Sequence, residues 1–263
     1  MNRRGLVMWT IGYSIAVFLG EMMFFYLSIG HDTESILNNI VQFCMIFIMI
    51  ALAVGLSVIF YNLNKKPLRQ AFLMLPASNL EKFLAAVLYC TVGWAFCVFF
   101  SYAVGDTLRM VVRSLAYGDP WISSIPMYLE HIDPGFGDDI FHWHTLHYQV
   151  MSITVVTAFL VWLHSLYILG GTLLRRYAFV VVSVFFILCM IAFAWIIHHF
   201  SFSMFYSNWV GDHYEQQEVG TMAYVLAVLL PLLSIFNYWA SFHIFKGFQL
   251  ITNKWTNYDL FKR

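Results

Sequence analysis

Hydrophobic positions in this chain do not alternate with polar ones; they run on. Six apolar stretches, at 5–29, 37–61, 83–104, 148–170, 177–199 and 221–245, are long enough to cross a bilayer. A hydrocarbon core of about 30 Å takes roughly 20 helical residues. Lipid offers backbone groups no partners, so continuous apolar runs of this length are predicted to be helices. The predicted fold is all-α: a polytopic membrane protein with six transmembrane helices in a single domain over residues 1–263. The first run follows Asn2-Arg3-Arg4, like a signal-peptide start. Its apolar run of about 25 residues exceeds a signal core, and no small-x-small cleavage site follows, so it reads as an uncleaved helix.

Charge sharpens this picture. Only 11% of the 263 residues are charged, against 61% hydrophobic. A soluble domain carries about 25% charged residues, so disorder and an ordinary soluble globule are both excluded. The net charge of zero excludes a nucleic-acid binder driven by bulk positive charge. Of the 14 Lys and Arg residues, all but Arg109 and Arg113 fall at one set of helix ends. Basic residues collect on the cytoplasmic side, so both termini are expected on that side of the membrane. Two segments, 105–147 and 200–220, are then expected to be non-cytoplasmic loops. Their aromatics, among them Tyr117, Trp121, Tyr128, Phe205 and Trp209, suit the headgroup belt.

Most familiar chemistry is missing. The chain has no GxxxxGK[ST] phosphate loop, no HExxH and no GxSxG. Cys44, Cys90, Cys97 and Cys189 all lie in apolar runs and read as small buried hydrophobes. No catalytic residue is assigned. Glu21 is an intramembrane acid, which makes it a functional candidate. Asp106 and Arg109 stand i, i+3, and a local ion pair is the simplest account. His164 and His243 read as satisfied core or interface histidines. His142, His144 and His147 gather three imidazoles within six residues, after Asp138 and Asp139. Such groups hold zinc, copper or nickel. However, His144 and His147 share a helix face that His142 leaves, and no familiar spacing is matched. A membrane-embedded metal enzyme is therefore the less favoured reading, and no metal is expected.

The most informative segment joins the second and third runs, at 62–82. It reads Asn64-Lys65-Lys66-Pro67-Leu68-Arg69-Gln70-Ala71-Phe72-Leu73-Met74-Leu75-Pro76-Ala77-Ser78-Asn79-Leu80-Glu81-Lys82. Pro67 suits the first turn of a short helix. Pro76 ends that helix at or before Leu75. Ser78-x-x-Glu81 is a capping box that starts the helix continuing as the third span. The pattern predicts an interfacial helix, a sharp turn and a capped transmembrane helix.

The stretch Leu75-Pro76-Ala77-Ser78-Asn79-Leu80-Glu81-Lys82-Phe83 resembles the LPAS-x-x-EK-F segment of ABC transporter permeases in the Bacteroidetes. More loosely, it is similar to the same region of permeases in the second ABC exporter class. The resemblance implies a permease subunit with six spans and both termini inside. A separate ATPase, carrying ATP and magnesium, would dock on the loop between the second and third spans. A second permease copy would complete the path, and the cargo would be amphiphilic or hydrophobic. The implied coupling residues are Lys65, Lys66, Arg69, Leu75, Pro76, Ala77, Ser78, Asn79, Glu81 and Lys82, with the basic side chains facing the partner or the lipid headgroups. The alternative is a non-catalytic membrane scaffold. Two features depart from that class: only four residues precede the first span, and 105–147 is longer than usual there.

Overall fold

The computed structural model describes residues 3–27, 33–60, 66–132, 143–174, 177–200, 203–209 and 215–247. Six helical segments are long and apolar enough to cross a membrane. They are α1 (Arg3–Leu27), α2 (Thr33–Ser57), the third span, α7 (Trp143–Leu173), α8 (Ala178–Phe200) and α9 (Thr221–Lys246). A short helix, α3 (Lys66–Leu73), lies between the second and third spans. The third span is built from α4 (Asn79–Leu88), a π-helical turn at Tyr89–Gly93, and α5 (Trp94–Tyr117). The architecture is thus all-α and membrane-spanning, as the apolar runs require.

Residues 105–147 differ from the expected loop. Helix α5 continues unbroken to Tyr117, so the third helical segment has 39 residues. That is more helix along the chain than the roughly 20 residues a hydrocarbon core takes. Asp106, Arg109 and Arg113 break the apolar run without breaking the helix. The stop comes at Gly118, whose left-handed backbone (φ 71°) caps α5 with its N–H on the Ser114 carbonyl at 3.1 Å. A further helix, α6 (Ile125–Ile132), follows. The segment 200–220 is not a plain loop either. It contains an antiparallel ribbon, β1 (Phe205–Trp209) with β2 (Glu215–Val219), in which Phe205 lies opposite Val219.

Two compact units interleave along the sequence. The first comprises residues 1–55 and 88–133; the second comprises 56–87 and 134–263. In the first, Ile40, Val41, Ile48, Val98 and Tyr102 form part of the core. Gly105 lets α5 approach α1 closely: a side chain there would meet Val17 and the Ser14 carbonyl. The Trp94 indole N–H donates to the Ala51 carbonyl at 2.8 Å, and its ring fills the space beside Gly55. Tyr128 belongs to this core, not to the headgroup belt. It is only 8% exposed, and its ring lies 5.6 Å from that of Tyr102.

In the second unit, α7 packs against α9 and α8. The α7–α9 seam carries polar pairs. His164 Nδ1 lies 2.6 Å from the Tyr238 hydroxyl, and the Asn237 amide donates to Ser165 Oγ at 3.0 Å. Tyr167 and Ser183 hydroxyls meet at 2.9 Å between α7 and α8. The outer side of α8 shows Val180, Val184, Ile187, Ile191 and Trp195, as a lipid-facing surface should.

Candidate functional site

The elbow at 66–83 is built as its sequence dictates. Helix α3 ends at Leu73, ahead of Pro76. Met74 N–H still reaches the Gln70 carbonyl at 2.9 Å, and Ala77 N–H closes a tight turn onto the Leu75 carbonyl at 2.8 Å. Ser78 and Glu81 then cap α4 reciprocally. Ser78 N–H donates to Glu81 Oε2 at 2.8 Å, and Glu81 N–H donates to Ser78 Oγ at 3.2 Å.

An aromatic cluster holds the elbow from beneath. The Phe72 ring meets Phe245 edge-on at 6.1 Å. Phe83 lies 5.5 Å from Phe242 and 5.6 Å from Phe245, and Phe60 stacks on Phe245 at 5.1 Å. Other side chains of the elbow are exposed: Met74 is 84% exposed, and Leu68, Leu75 and Leu80 are exposed too. Pro76, Ala77, Ser78, Asn79 and Glu81 are also exposed. This is a rigid knuckle with an apolar tip.

Lys82 corrects the sequence reading. It was expected among the outward-facing basic residues, yet it is 8% exposed and adjoins the buried Phe83 in the first turn of α4. The capping box sets this phase: it turns Lys82 inward, where its long aliphatic stem can pack. Lys65 lies outside the described residues, as do the side chains of Lys66 and Arg69.

A second constellation joins residues far apart in sequence. Glu21, fully buried on α1, accepts a hydrogen bond from Arg109 Nε at 2.9 Å. Arg109 Nη2 donates to Asp106 Oδ1 at 2.5 Å and to the Ile122 carbonyl at 2.8 Å. The i, i+3 pair read from sequence is therefore real, and Glu21 turns it into a triad. Asp106 is fully buried too. It accepts from Ser123 Oγ at 2.5 Å, Ser124 Oγ at 3.0 Å and Ser124 N at 3.3 Å. The Cys44 thiol donates to Glu21 Oε1 at 3.7 Å. The Tyr102 hydroxyl meets Ser124 Oγ at 2.8 Å. The triad thus ties α1, α2 and α5 together and pins the α5–α6 connection across their ends. Sequence reading missed Cys44, Tyr102, Ser123 and Ser124 here; the two adjacent serines after Pro120 were the available signal. Burial holds the Tyr128 phenol above its ordinary pKa, so it stays neutral beside this cluster.

His142 lies outside the described residues, as does the His144 side chain. His147 Nε2 instead meets the Tyr224 hydroxyl at 2.6 Å, with the two rings stacked. Among the described residues, no three His, Cys, Asp or Glu side chains gather as metal ligands would. His243 stacks on Trp239 at 5.5 Å.

Comparison with family models, with curated proteins and with solved structures finds no match for this chain.

Proposed function

We propose that this chain is the membrane-spanning permease subunit of an ABC-type transporter. The cargo is amphiphilic or hydrophobic and is exported. A separate ATPase subunit binds and hydrolyses ATP with magnesium, and a second permease copy completes the path. The distribution of basic residues supports placing the elbow and both termini on the cytoplasmic side of a bacterial inner membrane.

The observation that carries this reading is the elbow itself. An exposed Met74 and Leu75 stand on a reciprocally capped turn seated on Phe72 and Phe245. A purely connecting loop has no need for an exposed apolar tip on a rigid base. A docked ATPase would cover that tip. Movement of the ATPase would then pass through α3 and α4 as a rigid body, biasing two states of the permease by differential binding.

Met74 makes no packing contact that a charge would break, because it is almost fully exposed. Met74→Asp is therefore expected to leave the fold intact while weakening ATPase association and export. Both are read by co-purification from native membranes and by a cargo efflux assay. Full recovery of ATPase and full export in Met74→Asp would contradict the proposal.

A further inference from the structure

The end of α1, the start of α2 and the α5–α6 connection enclose a small recess lined by Phe25, Leu37, Ile122, Arg109, Arg113 and Asp119. Phe25 lies near the last residue of its span and Leu37 near the first of its own. The recess therefore sits where hydrocarbon gives way to lipid headgroups. Arg109 and Arg113 are the two of the chain's 14 Lys and Arg residues that stand apart from the basic helix ends, and both line it.

The two guanidinium groups have donors to spare. Arg113 Cζ lies 4.1 Å from the centre of the Phe25 ring and 4.9 Å from that of Tyr117. Its Nη2 pairs with Asp119. Its Nε is buried and finds no hydrogen-bond partner among the described residues. Arg109 commits Nε and Nη2 to Glu21, Asp106 and the Ile122 carbonyl. Its Nη1 bonds to none of the described residues. Glu21 and Asp106 are fully buried, so neither presents a negative face to the opening. Asp119 does, with a side chain 33% exposed, one residue past the left-handed Gly118. Asp119 itself shows that Arg113 accepts a carboxylate here.

We infer that this recess binds one anionic oxygen group, a phosphate or carboxylate, at the polar end of an amphiphile, and that the anion takes the place of Asp119 on Arg113. Arginine suits this role, since its planar fork matches such groups through paired charge-assisted hydrogen bonds. Phe25 and Leu37 line the apolar side of the recess. The inference does not rest on the transport reading; a resident lipid and a passing cargo would use the same groups.

The test uses the full purified chain in mixed micelles, with retained phosphatidylglycerol compared to phosphatidylcholine by native mass spectrometry. Wild type should retain phosphatidylglycerol selectively. Arg113→Gln should lower that retention about tenfold, the expected loss of a charge-assisted hydrogen bond. Asp119→Asn should raise it, because it removes the competing carboxylate. A gain confined to phosphatidylglycerol, with phosphatidylcholine unchanged, is not the signature of misfolding, and Arg113→Lys, which keeps the charge, should fall between wild type and Arg113→Gln. Inorganic phosphate at millimolar concentration separates the sources. Displacement of the lipid marks a site for the free anion, whereas persistence of the lipid marks a headgroup site. Phosphatidylglycerol retention unchanged in either Arg113→Gln or Asp119→Asn would overturn the inference.

Discussion

The first unit buries an ionisable triad, whereas α7 and α9 of the second are tied by hydroxyl, amide and imidazole groups. Glu21, Asp106 and Arg109 are each no more than 3% exposed. Along α7 and α9 the pairs are His164 with Tyr238 and Asn237 with Ser165. These are two answers to one problem, since a polar group in a low-dielectric interior must find a partner. Charges give the stronger and less forgiving answer. Two carboxylates share one guanidinium, and Asp106 also accepts hydrogen bonds from Ser123 and Ser124. Every member depends on the others. The α7–α9 pairs are separable, and each helix retains its apolar contacts when one is lost. The first unit should therefore break at a point, and the second should weaken by degrees.

The largest effect should come from Arg109→Met. It strands two buried carboxylates, and breaking a buried ion pair by removing one partner costs about 3–5 kcal/mol. The variant should show a sharply lower unfolding temperature in detergent, or no folded protein. The triple change Glu21→Gln, Asp106→Asn and Arg109→Met removes all three charges together, and it should recover much of that loss. Arg109→Met with wild-type stability would erase the contrast between the units.

A middle-sized effect is expected at the elbow. Ser78→Ala removes one half of the capping box, and loss of such a cap costs about 1 kcal/mol. The loss is local, so faster amide exchange should appear in the first turn of α4, at Glu81 and Lys82. Exchange in α7 and α9 should be unchanged.

The smallest effect is expected from Tyr238→Phe, which deletes only the hydroxyl facing His164. Interhelical hydrogen bonds of this kind average about 0.6 kcal/mol within membranes. Its unfolding temperature should stay close to wild type. A loss as large as that of Arg109→Met would show that the second unit also hinges on one contact.

The sequence made some of this legible and hid the rest for identifiable reasons. All six spans follow from apolar length alone, because lipid leaves no alternative to a helix. The elbow was equally readable: Pro76, Ser78 and Glu81 act within a few residues of one another, and their geometry matches the motif. The extension of α5 to Tyr117 was obscured because Asp106, Arg109 and Arg113 ended the apolar run. Hydropathy reports solvent, not backbone, and the true stop lay at Gly118. Asp106 and Arg109 were legible as neighbours, but Glu21 is 88 residues from Arg109, and no local pattern announces that pairing. The inward turn of Lys82 was hidden for a related reason. Its charge suggested a surface, while the helix phase set by the cap decided its burial.

The central claim is that the exposed elbow is the seat of an ATPase, and gentle-detergent purification of the tagged wild-type chain from its native membrane tests it most directly. The account predicts that a phosphate-loop ATPase co-purifies in stoichiometric amount and is lost when residues 66–81 are scrambled in a chain that still folds. A folded wild-type chain recovered without any ATPase under several mild conditions would contradict it.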